Sequence, residues 1–527
     1  MGYNRIILLL NTLKYLKATQ IYYRIYYFIR NKFFKKRYDK ILNREVNPLN
    51  WDDCLLYPIT YLKPNTFKFL NLEYEFKETI EWNFYEFGKL WTFNINYFDF
   101  LNQEKIQVSE GLFLIKDYIK KNETLKEGKA SYTISLRGMN WIKFLSKHKI
   151  VDDEINQMLY NHYQILSNNI EHHLLGNHIL ENGFSLLFGA YYFKDEMLYK
   201  KASIILHEEL NEQILQDGGH FELSPMYHKI MLHRILDCIN LIKNNSFKKN
   251  ELVSFLEQKA VSMLGWLETL TYKNGDIPNV NDSTYDIAPL SSQLYFYAKR
   301  IGISWKKNEL KESGYRKVVK EKYELFVDVG HVGASYQPAH VHSDTFSFEL
   351  VVNNTPFIVD RGISTYEKNN IRQDERGTVS HNTVQIGSRE QTVVWGGFRV
   401  AKRAKIVKLL EAKNIISATH DGYKSMGIYH TRKFISDEFS LLIEDKLSKN
   451  SNYKQEAHYH FHPNIKEINI NSNLVTFGNL QVQISFSSKI KNIEKRTYNY
   501  CLGFNNVEEA IKLVVTFEKE LKTVINL

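Results

Sequence analysis

"DTFSFELVVNNTPFIVD", residues 344–360, decides how this chain folds. Two strand-like apolar runs flank Asn353–Asn354, a pair suited to a hairpin turn. Similar runs fill the C-terminal side: "ELFVDVGHVGASYQ" (324–337), "SHNTVQIG" (380–387), "FSLLIEDKL" (439–447), "NLVTFGNLQVQISF" (473–486) and "EEAIKLVVTFEKE" (508–520). Asn, Gly and Ser separate them, and almost no helical period interrupts them. The pattern predicts an antiparallel β-sandwich.

The N-terminal side obeys a different rule. From Trp82 to Lys299 the apolar residues recur with helical spacing. "EMLYKKASIILHEELNEQIL" (196–215) puts Leu198, Ala202, Ile205, Leu210 and Ile214 near one face, and "LVSFLEQKAVSMLGWLETLTY" (252–272) repeats the pattern. Antiparallel helices joined by short polar loops explain it. The expected organisation is a basic, aromatic, helical segment over 1–75, a helical domain over 76–310 and a β-sandwich over 311–527.

At 527 residues, 43% of them hydrophobic, the chain is globular and too long for one core. Its 69 Lys and Arg against 59 Asp and Glu give +10, which draws a protein towards polyanions. No nucleic-acid module is present, so that partner is excluded. The three cysteines, Cys54, Cys238 and Cys501, are too dispersed for a disulfide framework or a thiolate metal site. Residues 1–40 mix Lys and Arg with Tyr and Phe but lack a signal-peptide pattern, and no segment has the uninterrupted apolar length of a membrane span. That segment would either pack on the main body or lie peripherally on an anionic membrane surface. The expected location is cytoplasmic or inner-membrane-associated, with periplasmic as the alternative.

Three polar clusters stand out against this scaffold. "NHILENG" (177–183) opens an apolar helix with Asn177, His178, Glu181 and Asn182. Polar groups there are costly unless bonded or put to use. "DGGHFELSPMYHKIMLHRI" (217–235) predicts a helix starting at Ser224 or Pro225, with Tyr227 and His228 in its first turn. "AHVHSDTFSFEL" (339–350) places His340, His342 and Asp344 on one face if it is a strand. Asp360 and His381 follow; two imidazoles and one carboxylate make a conceivable zinc site. "HYHFHP" (458–463) is equally suggestive by pattern alone.

Taken together and in order, "NHILENG", "DGGHFELSPMYH", "HVHSDTFSFEL", "FIVDRG" and "SHNTV" resemble the heparinase II/III family of polysaccharide lyases and its alginate-lyase relatives. "LWTFNINYFDFL" (90–101), "SLRGMNWIKF" (135–144) and "HFHP" extend the resemblance across roughly residues 80 to 520. It implies an incomplete (α/α) toroid followed by an antiparallel β-sandwich. It also implies β-elimination on an acidic, uronate-containing polysaccharide. Asn177 and His178 then match the pair that neutralises the uronate carboxylate, Tyr227 the catalytic tyrosine, and His340 the β-domain histidine reaching into the cleft. His342, Asp360 and His381 match a structural Zn2+ site found in some relatives. Glu181, Arg137, Arg376 and His228 are candidates for substrate binding; the alternatives are that Glu181 supports His178 and that the two arginines pair with acids.

Two other readings remain open at this level. A glycoside hydrolase would need two opposed carboxylates, and Glu181 with Glu222 is the pair that the motifs place near the cleft. A non-catalytic glycan-binding scaffold of a polysaccharide assembly system is the other. Oligomeric state is not legible in the sequence.

Overall fold

A computed structural model describes residues 5–34, 36–248, 251–478, 480–487 and 490–527. Twelve α-helices are found among them: α1 (Arg5–Leu13), α2 (Ala18–Phe33), α3 (Lys89–Tyr97), α4 (Val108–Lys120), α5 (Ser131–Lys147), α6 (Asp153–Asn168), α7 (Asn177–Phe193), α8 (Glu196–Gln213), α9 (Pro225–Asn244), α10 (Val253–Leu270), α11 (Ser291–Arg300) and the short α12 (Asn370–Glu375). The helix starts follow local chemistry. Asp152 accepts from the Ile155 amide, Asp195 from those of Met197 and Leu198, and Ser224 from that of Tyr227, with Pro225 opening α9. Each satisfies amides that a helix N-terminus leaves unpaired.

Helices α5, α7 and α9 are almost wholly buried and form the inner layer of the helical half. Leu198, Ala202, Ile205 and Leu210 on α8 are buried, as is Ile214 just past its end. The helical core is aromatic, with Trp82 stacked on Phe98 at 5.0 Å and Trp141 edge-on to it at 5.4 Å.

The C-terminal half consists of antiparallel sheets. One has eight strands, running from Ile406–Ala412 at one edge to Asn469–Asn471 at the other. Two four-stranded sheets, joined through the Ile358–Phe461 bridge, face it across a core containing Phe348, Leu350, Tyr459, Phe434, Ile443 and Ile525. The Asn353–Asn354 turn is a tight hairpin in which both residues have positive φ, 48° and 66°, as a primed turn requires.

Two expectations are corrected. Residues 1–75 are not uniformly helical: beyond α2 the chain is extended and ends in a three-stranded sheet, Tyr61–Lys63, Thr66–Phe69 and Leu72–Glu75, which packs Phe67 and Phe69 into the helical core. Residues 339–347 form a loop rather than a strand. His340 and His342 face a common partner because that partner, Asp282, bonds both.

Candidate active site

Three of the segments that line the junction between the two halves turn sharply just before they reach it. Leu175 and Gly176 (φ 63° and 62°) precede Asn177, Leu223 (φ 55°) precedes Ser224, and Asn281 (φ 54°) precedes Asp282. Non-glycine residues in left-handed conformation cost energy and persist where their surroundings over-determine them. At Gly176 a Cβ would collide with the Glu222 carboxylate.

The junction is built around His340. Its ring lies 3.9 Å from that of Tyr227, centroid to centroid. Its Nδ1 is 2.8 Å from Asp282 Oδ2; its Nε2 is 3.3 Å from Glu222 Oε2 and 3.4 Å from Asn177 Nδ2. Glu222 in turn accepts from the Asn177 backbone amide at 2.9 Å and from its Nδ2 at 2.9 Å. Asp282 is buried and fully bonded: Arg372 donates to its two oxygens at 2.5 and 2.6 Å, and His342 Nε2 lies 2.9 Å from Oδ1. Burial opposes its charge, but Arg372 and the two histidines outweigh burial and hold its pKa well below the usual carboxylate range. An ionised Asp282 is acceptor-only, so it selects the Nδ1–H form of His340 and the Nε2–H form of His342.

Tyr227 is partly exposed, and its hydroxyl meets that of Tyr366 at 3.2 Å. Burial pushes its pKa up, with Asp282 and Glu222 adding to the effect against the Tyr366 hydrogen bond. It therefore holds its proton, which suits a proton donor. His178 lies with its Nδ1 3.2 Å from Glu171 Oε1 and packs against Tyr132 at 4.7 Å. Burial opposes its charge, yet Glu171, then Glu222 and Glu181, raise its pKa above the ordinary value. A part-exposed imidazole whose pKa is raised, next to Asn177 in the chain, suits the binding of a carboxylate.

The four candidate substrate binders do not reach the cleft. Glu181 is fully buried and accepts from Arg234 Nε through both oxygens at 3.1 Å. Arg137, also fully buried, donates to the Asn96 and Gly128 carbonyls and stacks on Tyr118. Arg376 donates to the Val341 and Gly397 carbonyls and braces the loop carrying His340 and His342. His228 lies against Trp266, with Nε2 3.0 Å from the Met263 carbonyl; burial lowers its pKa to about 3. Buried side chains bonded within the protein do not present their polar atoms to a sugar. With Glu181 held by Arg234, the Glu181–Glu222 pair on which the hydrolase reading rested is not a pair of free carboxylates.

Sequence reading missed Asp282, Glu171, Tyr366 and Arg372. The available signals were an Asn/Asp-rich loop, "NVNDSTYD" (279–286), and an acid placed just before "HHLLGNH".

His342, Asp360 and His381 do come together, though not as three converging ligands. Asp360 Oδ2 holds His381 Nδ1 at 2.7 Å and its Oδ1 accepts from the Gly362 amide. Among the described residues no group of three or more His, Cys, Asp or Glu side chains has metal-holding geometry. The fit is with the two histidines. His342 Nδ1 and His381 Nε2 are buried without partners, while the opposite nitrogen of each ring is held by a carboxylate. That pattern is how metal-binding histidines are oriented. Burial lowers the His342 pKa to about 3, leaving Nδ1 a bare lone pair. His458 and His460, in "HYHFHP", are buried on a strand, with His460 Nδ1 on Asn382.

The family described as Heparinase II/III N-terminus matches residues 91–305, and the family described as Heparinase II/III-like, C-terminal, matches residues 303–527. Heparin-sulfate lyases of Bacteroides stercoris and Pedobacter heparinus are each 21% identical, over 308 and 304 residues; both alignments cover 52% of this chain and 44% of the relative. The chain thus aligns with under half the length of these curated relatives. Among solved structures, a heparinase III superposes with TM-score 0.64 at 15% identity, covering 86% of this chain and 80% of that one. A chondroitin AC lyase of Streptomyces coelicolor A3, in complex with chondroitin sulphate, superposes with TM-score 0.52 at 7% identity, covering 83% and 74%. These likenesses establish the toroid-plus-sandwich fold.

Proposed function

The chain belongs to the heparinase II/III-like family, the two family matches together spanning residues 91–527, and from that premise we propose that it is a polysaccharide lyase cleaving a uronate-containing anionic polymer by β-elimination. The observation that carries the reading is the stack of Tyr227 on His340, with Asn177 and Glu222 at the far nitrogen of that histidine. The carbon-5 proton of a uronate becomes removable only when the adjacent carboxylate is neutralised, because charge moves onto it as the proton leaves. The His178 cation serves that purpose together with Asn177, whose amide bridges Glu222 and His340 Nε2 before substrate arrives and turns its second proton to the carboxylate when substrate binds, freeing Nε2. His340, whose Nδ1–H is fixed on Asp282, presents Nε2 as the base that takes the carbon-5 proton. Tyr227, holding its proton, donates it to the departing carbon-4 oxygen. The products are an unsaturated uronate with a carbon-4/carbon-5 double bond and a new chain end bearing a hydroxyl.

Incubation with a panel of uronic-acid polymers should raise ultraviolet absorbance as the conjugated double bond forms. Release of reducing ends without absorbance would defeat the proposal, and binding without either would leave a scaffold protein. The rise should also weaken with pH in a set direction. A histidine with a raised pKa keeps its charge above its ordinary value of about 6.5. The substrate KM should therefore be lowest below that value and climb as pH passes through the raised pKa of His178; Glu171→Gln should move the climb to lower pH.

The same reading extends to Zn2+ at His342 Nδ1 and His381 Nε2, with Asp360 orienting His381 through the opposite ring nitrogen. The metal would act structurally, fixing the loop on which His340 stands, and no step of the elimination passes through it. A metal bound only by the native state stabilises it by mass action. Chelation should then lower the melting temperature of metal-loaded protein, and His381→Ala should remove both the metal and the chelator effect. Protein without stoichiometric metal that melts identically in chelator would refute the assignment.

A further inference from the structure

The net charge of +10 is not spread over the molecule. Residues 1–38 hold nine of the 69 Lys and Arg and no Asp or Glu, so the other 489 residues carry 60 basic against 59 acidic side chains. The body around the cleft is balanced, and the basic character belongs to the segment of α1 and α2. The bulk charge therefore gives no reason to expect a polyanion at the cleft.

These helices are also turned inside out. Helix α2 faces the protein with polar groups: Gln20 Nε2 donates to the Leu174 carbonyl at 3.1 Å, Arg24 Nε to that of His173 at 3.3 Å, Tyr27 hydroxyl to that of Ile170 at 2.6 Å, and Arg30 Nη1 to that of Asn168 at 2.6 Å. Helix α1 is tied to the other half of the molecule through Thr12, which donates to the Val400 carbonyl and accepts from Trp395 Nε1 at 3.2 Å. The aliphatic and aromatic residues point away: Leu10 is 62% exposed, Ile25 56%, Phe28 67% and Phe33 65%, with Lys32, Lys36 and Arg37 exposed beside them. A surface helix normally turns its apolar stripe to the core. An apolar face of this extent, held outward by a full set of polar anchors, marks a site that meets another apolar phase.

We propose that α1 and α2 are a peripheral membrane anchor whose outer face docks on an anionic lipid bilayer. Neither helix is long and apolar enough to cross a membrane, so the mode is interfacial. The charge selects anionic headgroups, and the side chains to be buried are Ile, Leu, Phe and Tyr. An acidic polysaccharide would use the charges but offer nothing to cover the apolar face. A second copy would bring two strongly basic segments together. Because α2 grips residues 168–174, immediately before Asn177 and His178, docking would set the cleft at a fixed position on the membrane surface. The inference is independent of the proposed chemistry.

Full-length protein should sediment with vesicles of phosphatidylcholine containing about 30% phosphatidylglycerol, poorly with phosphatidylcholine alone, and less at high salt. Ile25→Glu with Phe28→Glu should abolish sedimentation, and Lys32→Glu with Arg37→Glu should weaken it by on the order of tenfold. Melting temperature and lyase turnover on soluble polymer should be unchanged in both. Failure to sediment, or sedimentation indifferent to Ile25→Glu with Phe28→Glu, would overturn the proposal. So would a concentration-dependent dimer, or retention on a soluble uronate polymer, that displaces vesicle binding and depends on Phe28.

Discussion

Tyr227→Phe should reduce turnover by about 10²–10⁴-fold, the usual worth of general acid–base assistance, while the protein folds and binds polymer nearly as before. The substitution removes one oxygen. The ring remains stacked on His340, and the hydrogen bond of the hydroxyl to Tyr366 at 3.2 Å is worth about 0.5–1.5 kcal/mol. An interaction used in the transition state and not in the ground state lowers kcat and leaves KM alone. The two carboxylate binders should behave differently from Tyr227 and from each other. His178 is part-exposed, so His178→Ala should raise KM and slow chemistry without unfolding the protein. Asn177 also satisfies buried Glu222, so Asn177→Ala leaves that carboxylate short of donors and should lower the melting temperature as well. A Tyr227→Phe enzyme with near-normal kcat would remove the central assignment.

What the sequence revealed and concealed follows from how locally each feature is encoded. The inner face of α8, the Ser224–Pro225 start of α9 and the Asn353–Asn354 hairpin are determined by residues within a few positions of one another, and each was legible. The clusters around Asn177, Tyr227 and His340 were legible as chemistry because polar groups interrupt apolar runs there. Their mutual placement came only through the family resemblance. Asp282 was not legible: it sits in a loop without period, 58 residues before His340 and 90 before Arg372. Arg137 and Arg376 were misplaced for a related reason. Charged side chains are rarely buried whole, so an arginine near a motif reads as a surface group. Only the fold shows that both donate to backbone carbonyls inside the protein.

Asp282 is the position at which substitution should do most damage. Its carboxylate orients His340, orients His342 and balances Arg372, all in the dry interior, and its backbone carbonyl accepts from the Ser224 hydroxyl that caps the helix carrying Tyr227. Asp282→Ala strands the Arg372 guanidinium, and breaking a buried pair on one side costs about 3–5 kcal/mol. The melting temperature should fall by roughly 6–20 °C, at about 2–4 °C per kcal/mol for a domain of this size. Asp282→Asn separates the roles. It keeps the volume but replaces one acceptor with a donor, so the amide must face Arg372, His340 or His342. Facing His340, it would force the proton off Nδ1 and onto Nε2, destroying the lone pair that takes the carbon-5 proton. Turnover should drop by on the order of 10²-fold or more, as expected for a lost general base, with a smaller loss of stability than Asp282→Ala causes. Adding Arg372→Met to Asp282→Asn removes the unbalanced charge and should return much of the melting temperature, since deleting both members of a buried pair is often close to neutral. It should return none of the turnover. Recovery of turnover along with stability would mean that Asp282 serves the fold alone, and that His340 is not the base it is proposed to orient.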